Sequence, residues 1–403
     1  MLSRRSNELY LSSKRKIDAN ESVGIDIEKN KEKNKMSLRV SPGVTKLILG
    51  FSIVATLVIA LSKHVSLSFS PQSPHQPAKL RFDWTNMPVT TDLAKRIVAH
   101  QTNCSIPLLQ SELNQFGLGS SLHSYADNLC YVFENRRTWT QYSTREGPWI
   151  WRDTSVCGKE DQSPLQCYFP GAEMQCPNDP VNVKQQKPLE RYDVCNKFRA
   201  EYSQKELFAA TMEYLFRNVS KVVIEEAERQ LNMVFPSGHV PQGLIVVHIR
   251  WGDKGFEMKK VPISEYLDGI RTILGRRGIS DNSKEPVHIY LATEDQNAVR
   301  EFKAAVPPNW NVYVEQYFQE MLPYRNMGDE KKWQNNNVNA ERTKGKSGLI
   351  ALASLLVAME ANNFVITTKS NWSLLMNELR ENVVEPRCHG CTQMVDLRPF
   401  EFH

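Results

Sequence analysis

A short run of the chain, HIRWGDK, places four ionisable side chains close together: His248, Arg250, Asp253 and Lys254. It follows the apolar residues 244–247, which predict a buried strand. In open α/β sheets, ligands bind at the carboxyl ends of the strands. A guanidinium can hold two phosphate oxygens at once, so Arg250 at such an end favours a phosphate-bearing ligand.

Two more polar clusters follow predicted strands further along the chain. Residues 293–295, Thr-Glu-Asp, come after the strand 287–292, and the polar residues 367–373 begin where the strand 364–368 ends. Helical patterns separate these strands, which predicts a parallel sheet with right-handed crossovers. Because the carboxyl ends of parallel strands lie at one edge of a sheet, the three clusters predict a single site.

Upstream, Gly117 and Gly119 precede an apolar-periodic stretch at 125–133 that predicts a helix. Glycines at the start of a helix let backbone amides approach an anion. On its own this pattern forms a turn more often than a phosphate loop. Two helices are predicted within 196–233, and the polar, Asn- and Lys-rich residues 318–345 predict a mobile loop.

The domain organisation follows from composition. The chain has 403 residues, of which 41% are hydrophobic and 24% charged, so most of it is predicted to be globular. The predicted parts are a disordered cytoplasmic tail at 1–45, a transmembrane anchor at 46–63, a stem at 64–84, an N-terminal catalytic subdomain at 85–240 and a nucleotide-binding subdomain at 241–403.

The predicted anchor holds sixteen uncharged residues between Lys46 and Lys63, slightly fewer than the roughly 20 that span a bilayer. A buried core helix and a cleaved leader ending near 60–62 are the alternatives. The segment lacks a polar face and is flanked by Lys-rich sequence, which favours a signal anchor. Residues 1–46 carry eleven Lys and Arg against six Asp and Glu, which predicts a cytosolic N-terminus and a single-pass type II protein.

The cysteines agree with a lumenal body. All eight lie beyond the anchor, and an even number there predicts disulfides in an oxidising compartment. Cys388 and Cys391 form a CxxC pair, but no second pair accompanies it, so a short disulfide loop is favoured over zinc. The net charge of +5 is mostly local, and no basic stripe predicts a nucleic-acid partner.

Four motifs together resemble the alpha-1,6-fucosyltransferase family. They are HIRWGDK, YLATED at 290–295, the stretch from GLIAL to SNWS at 348–373, and GLGSSLH at 117–123. The resemblance covers roughly residues 111–380. It implies an α/β fold of two Rossmann-like, GT-B-like halves, in which a parallel sheet flanked by helices forms the C-terminal half.

The resemblance also implies an activity. Members transfer fucose from GDP-fucose to a glycan or glycoprotein acceptor by inverting displacement, with no metal and no other cofactor. The implied location is the Golgi membrane with a lumenal catalytic domain, and the leading acceptor is the N-glycan core in alpha-1,6 linkage. A protein O-fucosyltransferase and an inactive relative that binds GDP or glycan are the alternatives. A homodimer is left open.

By the same matching, Arg250 offsets the charge of the departing diphosphate, and His248 contacts the nucleotide. Lys254 contacts the phosphates or a nearby acid. Glu257 is the implied general base, with Asp253 as the alternative base. From the residues alone, Arg250 could equally pair with a carboxylate, and His248 could be an ordinary core histidine.

Further residues are placed at the cleft by the resemblance: Gly117, Gly119, Tyr266, Glu294, Asp295 and Ser370. Glu294 and Asp295 either hold the ribose or cap the next helix. Ser370 contacts phosphate at the start of a helix, and Tyr266 lies near the site unless it only packs. Trp251 stands where the family has a second Arg, and could stack on the base or sugar.

Overall fold

The computed structural model describes residues 78–103, 105–106, 108–112, 115–134, 138–142, 149–158, 165–172, 184–186, 200–235, 237–251, 259–280, 285–325 and 336–402. They fall within one compact unit, Pro74–His403. The predicted tail and anchor lie outside the described residues. Within the described ranges, no helix combines the length and the apolar character that crossing a bilayer requires.

The N-terminal half contains a small parallel sheet with helices around it. Its middle strand is flanked on both sides, and Leu109 pairs with Trp139 on one side and with Lys184 on the other. The elements are strands β1 Leu108–Glu112, β2 Thr138–Tyr142 and β3 Lys184–Gln186, with helices α1 Asp92–Gln101 and α2 Leu118–Glu134.

The two helices predicted from apolar spacing follow as α3 Gln204–Phe216 and α4 Lys221–Val234. Ser203 begins α3 with a capping box, in which its side chain and that of Glu206 satisfy each other's backbone N–H groups. The break between the two helices falls around Asn218, as predicted.

The C-terminal half is a five-stranded, fully parallel sheet. Its strands are β4 Ile245–Ile249, β5 Val287–Thr293, β6 Trp310–Val314, β7 Asn363–Ile366 and β8 Gln393–Asp396, in the order β6-β5-β4-β7-β8. Strand β4 is buried along its whole length. Ile249 pairs with Thr293 and Val247 with Val365, so β4, β5 and β7 end side by side.

Helices cover both faces of this sheet. They are α5 Ile263–Arg276, α6 Gln296–Ala305, α7 Gln316–Arg325, α8 Asn336–Arg342, α9 Lys346–Ala358 and α10 Asn371–Leu379, followed by a π-helical turn Arg380–Val384 and α11 Glu385–Arg387. Successive β4 residues serve two different cores, with Val246 in one and Val247 in the other. The prediction of an α/β fold with a helix-flanked parallel sheet is confirmed.

The prediction of a mobile loop over 318–345 is wrong for the part that the structure describes. Helices α7 and α8 occupy much of that range. Three of their apolar side chains, those of Phe318, Met321 and Ala340, are buried. A small number of well-placed apolar residues holds these helices despite their polar composition.

Residues 78–84, the described part of the predicted stem, pack against the body. Trp84 is fully buried in the core. The backbone N–H of Arg81 donates to both carboxylate oxygens of Glu360, at 3.1 and 3.0 Å. Its guanidinium donates to Asn362 and to the carbonyl of Met359. This short segment therefore belongs structurally to the folded unit.

Disulfides are present, as the cysteine count predicts. Cys388 is bonded to Cys391, and Cys157 to Cys167. Cys130 is also disulfide-bonded. The location of the folded unit in an oxidising compartment stays a prediction.

Candidate functional site

The glycine motif and the polar cluster after β7 meet at one place, although some 250 residues separate them. A β-carbon added at Gly119 would lie 3.1 Å from the carbonyl carbon of Asn371 and 3.2 Å from the backbone nitrogen of Trp372. Ser120 accepts a hydrogen bond from Asn371 Nδ2 at 2.6 Å. Helix α2 begins at Leu118 and α10 at Asn371, so the amino ends of two helices are in contact.

Helix amino ends carry N–H groups without intrahelical partners and a partial positive charge of about half a unit. Two such ends in contact make a region that favours an anion. Ser370 immediately precedes α10, is buried, and donates its backbone N–H to the carbonyl of Thr367. Gly117 precedes α2, is half-buried and has open space where a side chain would be.

His248 lies at the end of β4 and faces α10. Its Nδ1 is 2.6 Å from the hydroxyl oxygen of Ser373, and the residue is only 2% exposed. Burial and the positive charge of Arg250 lower the pKa of His248 to about 3. The imidazole is therefore neutral at physiological pH and can serve as a hydrogen-bonding group but not as a cation.

Arg250 leaves the sheet on the same face as His248, because side chains two apart on a strand point to the same side. Its Nη1 lies 3.4 Å from Glu294 Oε2, a contact that follows from the neighbouring pair of Ile249 and Thr293. The Arg250 side chain is 10% exposed and the Glu294 side chain 24%. A largely desolvated cation at a strand end acts on a nearby anion more strongly than a fully solvated one would.

The two acids after β5 have different surroundings. Asp295 caps helix α6, with its carboxylate accepting from the backbone N–H groups of Asn297 and Ala298. Glu294 instead faces Arg250. The helix-cap interpretation therefore describes Asp295, whereas Glu294 lies where it can orient the guanidinium.

Thr293 ties the ends of three strands together. Its hydroxyl donates to the carbonyl of Ile249 at 2.7 Å, and its backbone N–H donates to Glu315 at 2.6 Å. Glu315 is buried directly after β6. These bonds fix the level at which β4 and β5 end, and so fix the position of Arg250.

Tyr266 on α5 is buried beneath the site. Burial raises its pKa, an effect opposed by the side chain of Thr367 and the backbone of Arg250, next to which its hydroxyl lies. The phenol is therefore protonated. This placement supports the strand ends from the α5 side and makes Tyr266 a packing residue of the site's floor.

Trp251 points away from Arg250, into the core on the α5 face. Its indole Nε1 donates to the carbonyl of Val261 at 2.9 Å, and Lys260 lies 5.5 Å from the ring centre. A ring held in this way fills the core and does not stack on a ligand beside Arg250. Trp251 thus faces a different surface from Arg250.

Asp253 and Lys254, the last two residues of the motif, and Glu257 shortly after it lie outside the described residues. Their roles stay predictions. In the part of the chain that the structure describes, no group of three or more His, Cys, Asp or Glu side chains could hold a metal ion.

Two relationships at the site were not predicted. One is the bond between Ser373 and His248. Ser373 is the third residue of an Asn-Trp-Ser glycosylation motif, and the sequence does not indicate that it contacts His248. The other joins α2 to α10, where His123 Nε2 lies 2.9 Å from Glu378 Oε2 in the interior. His123 belongs to the glycine motif, but nothing in the sequence pairs it with Glu378. Its ring also stacks on Phe208, 4.8 Å between centroids.

Comparison with known proteins gives no matching family model and no matching curated protein. Among solved structures, the chain is similar to the NodZ alpha-1,6-fucosyltransferase soaked with GDP-fucose, at 14% identity and a TM-score of 0.37, covering 68% of this chain and 92% of that one. It is also similar to Arabidopsis thaliana FUT1 in complex with GDP, at 13% identity and a TM-score of 0.40, covering 77% and 75%. A third is POFUT1 in complex with GDP, at 10% identity and a TM-score of 0.37, covering 72% and 98%.

Proposed function

We propose that this chain is a glycosyltransferase that moves fucose from GDP-fucose to a glycan acceptor. The observation that carries the proposal is the meeting of distant motifs at one sheet edge. The amino ends of α2 and α10 touch through Gly119 and Asn371, and α10 also carries the Ser373 that contacts His248 beside Arg250. A nucleoside diphosphate could use each part of this arrangement, the helix amino ends for its phosphates and Arg250 for its charge.

In this proposal the diphosphate of the donor lies between the two helix amino ends and Arg250. Backbone N–H groups at the starts of α2 and α10 hydrogen-bond its oxygens. Arg250, oriented by Glu294, faces the phosphate that leaves with the nucleotide. His248, neutral and buried beside it, hydrogen-bonds the nucleotide.

The reaction is a direct displacement. The acceptor hydroxyl oxygen attacks the anomeric carbon of fucose from the face opposite the diphosphate, and the bond from that carbon to the phosphate oxygen breaks. The hydroxyl proton passes to a carboxylate, Glu257 in the first instance and Asp253 as the alternative. Negative charge builds up on the departing GDP, and Arg250 offsets it, which lowers the barrier more than equal binding of substrate would.

The N-glycan core in alpha-1,6 linkage is the leading acceptor, and a folded protein domain is the alternative. Both activities would use GDP-fucose bound in the same way. Testing different acceptors therefore distinguishes them, and testing different donors does not. We place the enzyme in the Golgi membrane as a single-pass type II protein, with residues 46–63 as its anchor. Protease protection of the folded unit in sealed Golgi vesicles tests that orientation.

The activity test is to incubate the purified chain with GDP-fucose and a glycan array that also displays folded protein domains, with and without a chelator. The expected result is transfer to one acceptor class at the same rate in both conditions. Loss of transfer on chelation would contradict the metal-free mechanism. Transfer from another nucleotide sugar in preference to GDP-fucose would contradict the donor assignment.

The position of Trp251 favours a second candidate, an inactive relative that binds GDP or glycan. With the indole buried on the α5 face, position 251 adds no positive charge beside Arg250. Calorimetric binding of GDP, combined with an absence of both transfer and donor hydrolysis, would select this candidate over the enzyme.

A further inference from the structure

The hydrogen bonds of Ser373 determine which way its hydroxyl points. Its oxygen accepts the backbone N–H of Thr367 at 3.3 Å and lies 2.6 Å from His248 Nδ1. A serine hydroxyl has one proton to donate and can accept through its lone pairs. The distance alone leaves the direction open, because a hydroxyl oxygen can accept two hydrogen bonds. Among the described residues no other acceptor is bonded to this buried hydroxyl, so an Nδ1–H group donating to Ser373 would leave the hydroxyl proton without a partner. The arrangement that satisfies both groups has Ser373 donating and Nδ1 accepting.

That direction fixes the tautomer of the imidazole. A neutral histidine carries one ring proton, so a ring whose Nδ1 accepts must carry the proton on Nε2. His248 is buried beside the cation Arg250, a setting that disfavours a second proton. The ring consequently offers an N–H donor at Nε2, on the face of β4 that it shares with Arg250.

We infer that Ser373 is a positioning residue that holds His248 in the Nε2–H tautomer, so that His248 selects a hydrogen-bond acceptor on the bound nucleotide. The inference deepens the proposed function and rests on it for the identity of the ligand. The acceptor is a phosphate oxygen or an acceptor atom of the base. An amino group facing the same nitrogen would meet donor against donor and be rejected.

The tautomer is tested first, in the free full-length chain. Long-range ¹H–¹⁵N NMR of histidine-labelled protein distinguishes a protonated from an unprotonated ring nitrogen. The expected spectrum has His248 Nδ1 unprotonated and Nε2 protonated, assigned by comparison with His248→Gln. In Ser373→Ala this state is lost or mixed, and in Ser373→Thr, which keeps the hydroxyl, it is retained. A protonated Nδ1 in the wild-type chain overturns the inference.

The second test is a double-mutant cycle on GDP binding. Ser373→Ala is expected to weaken GDP binding about tenfold, in line with the loss of one well-directed hydrogen bond. A glutamine side chain at position 248 places an amide N–H near the position of Nε2 and has no tautomers. In a His248→Gln background, Ser373→Ala should therefore change GDP affinity less than twofold. Equal losses in the two backgrounds would overturn a role that acts through the ring.

A parallel titration with inorganic pyrophosphate locates the acceptor. If Ser373→Ala weakens pyrophosphate and GDP alike, the acceptor is a phosphate oxygen, and if only GDP is weakened, it belongs to the nucleoside. The proposed function and the inference about the His248 tautomer can be contradicted independently. A correct tautomer without GDP binding contradicts the proposed function alone, whereas GDP binding with a protonated Nδ1 contradicts only the assignment to Ser373.

Discussion

Gly119 lies so close to the backbone of Asn371 that even a β-carbon would make an unusually tight contact there. A β-carbon there would be 3.1 Å from the carbonyl carbon of Asn371 and 3.2 Å from its oxygen. The neighbouring atoms belong to the start of a helix, so they cannot swing aside as the end of a flexible side chain can. Glycine at this position therefore sets how closely α2 approaches α10.

The substitution Gly119→Ala should separate the two helix amino ends. Overpacking of this kind destabilises proteins by about 1–3 kcal/mol, partly offset here by the higher helix propensity of alanine. We also expect GDP binding to weaken, since amides on both helices must reach one anion. Urea unfolding and calorimetric titration with GDP measure the two effects.

Gly275→Ala is the matched control, because Gly275 is an exposed residue of α5 and nothing lies within 4 Å of the added carbon. It should leave GDP affinity within about twofold of wild type. If both alanine variants weaken GDP binding equally, the close approach at Gly119 is not the cause.

Much of this fold could be predicted from the sequence, because apolar runs of strand length alternate with helical periods beyond residue 243. The runs that became β4, β5 and β7 are strongly apolar and end in polar clusters. Strand β8 has a weaker signal, since it is half-buried at the sheet edge and its four residues are of mixed character. A strand that is buried on both faces is a nearly continuous run of apolar residues, and such a run can be recognised in the sequence.

The sequence predicts that the site lies at the strand ends, but it does not predict which side chains contact each other there. Because side chains alternate along a strand, Trp251 points to the other face of the sheet from Arg250. The residue types alone do not show this. The bond between Ser373 and His248 joins residues 125 apart, and depends on how α10 packs on β4. No local pattern carries that information.

Arg250→Ala should reduce the rate of fucosyl transfer by about 100-fold or more, because it removes a donor aimed at charge that develops as GDP leaves. Arg250→Lys should recover part of the loss, since an ammonium keeps the charge without the two-pronged geometry. The measurement is the initial rate at saturating GDP-fucose, with chelator present.

Arg300→Ala serves as the control for Arg250. This arginine is exposed on α6, so its removal should change neither rate nor stability by a measurable amount. Unimpaired transfer by Arg250→Ala, with Arg300→Ala behaving normally, would remove Arg250 from the mechanism.

Glu360 should make stability fall as the pH rises. Burial raises its pKa from 4.5 to about 7, even though the Arg81 backbone N–H and the Arg81 charge oppose that shift. Between these two values the folded chain holds a proton that the unfolded chain has released. Stability is therefore full below pH 4.5 and declines up to pH 7, by at most about 1.4 kcal/mol per unit from this group.

The check is urea unfolding of wild type and Glu360→Gln from pH 4.5 to 8. Because glutamine does not titrate, the difference between the two chains isolates Glu360 from the histidines that titrate in the same range. The variant should gain stability relative to wild type as the pH rises. A constant difference across that range would mean that Glu360 titrates at its ordinary value when folded.

The buried pair of His123 and Glu378 should hold α2 against α10 through one hydrogen bond in the interior. Glu378→Ala removes a partner and leaves a buried ring nitrogen unpaired, which typically destabilises by about 1–3 kcal/mol. Glu378→Gln keeps an atom that can bond Nε2 and should lose less. Removing the exposed pair of Lys95 and Asp92 instead should change stability by less than about 1 kcal/mol.

The double variant His123→Phe, Glu378→Leu distinguishes the contribution of the hydrogen bond to stability from the cost of burying its polar atoms. Replacing both partners with apolar groups of similar size leaves no polar atom unpaired, so this variant should be more stable than Glu378→Ala. Its GDP affinity should still fall, since apolar packing does not fix the spacing of the two helices as a directed bond does. Chemical unfolding and GDP titration on the same preparations decide the matter: if affinity stays at the wild-type value, the pair contributes to stability alone and α2 and α10 are aligned by Gly119 and Asn371.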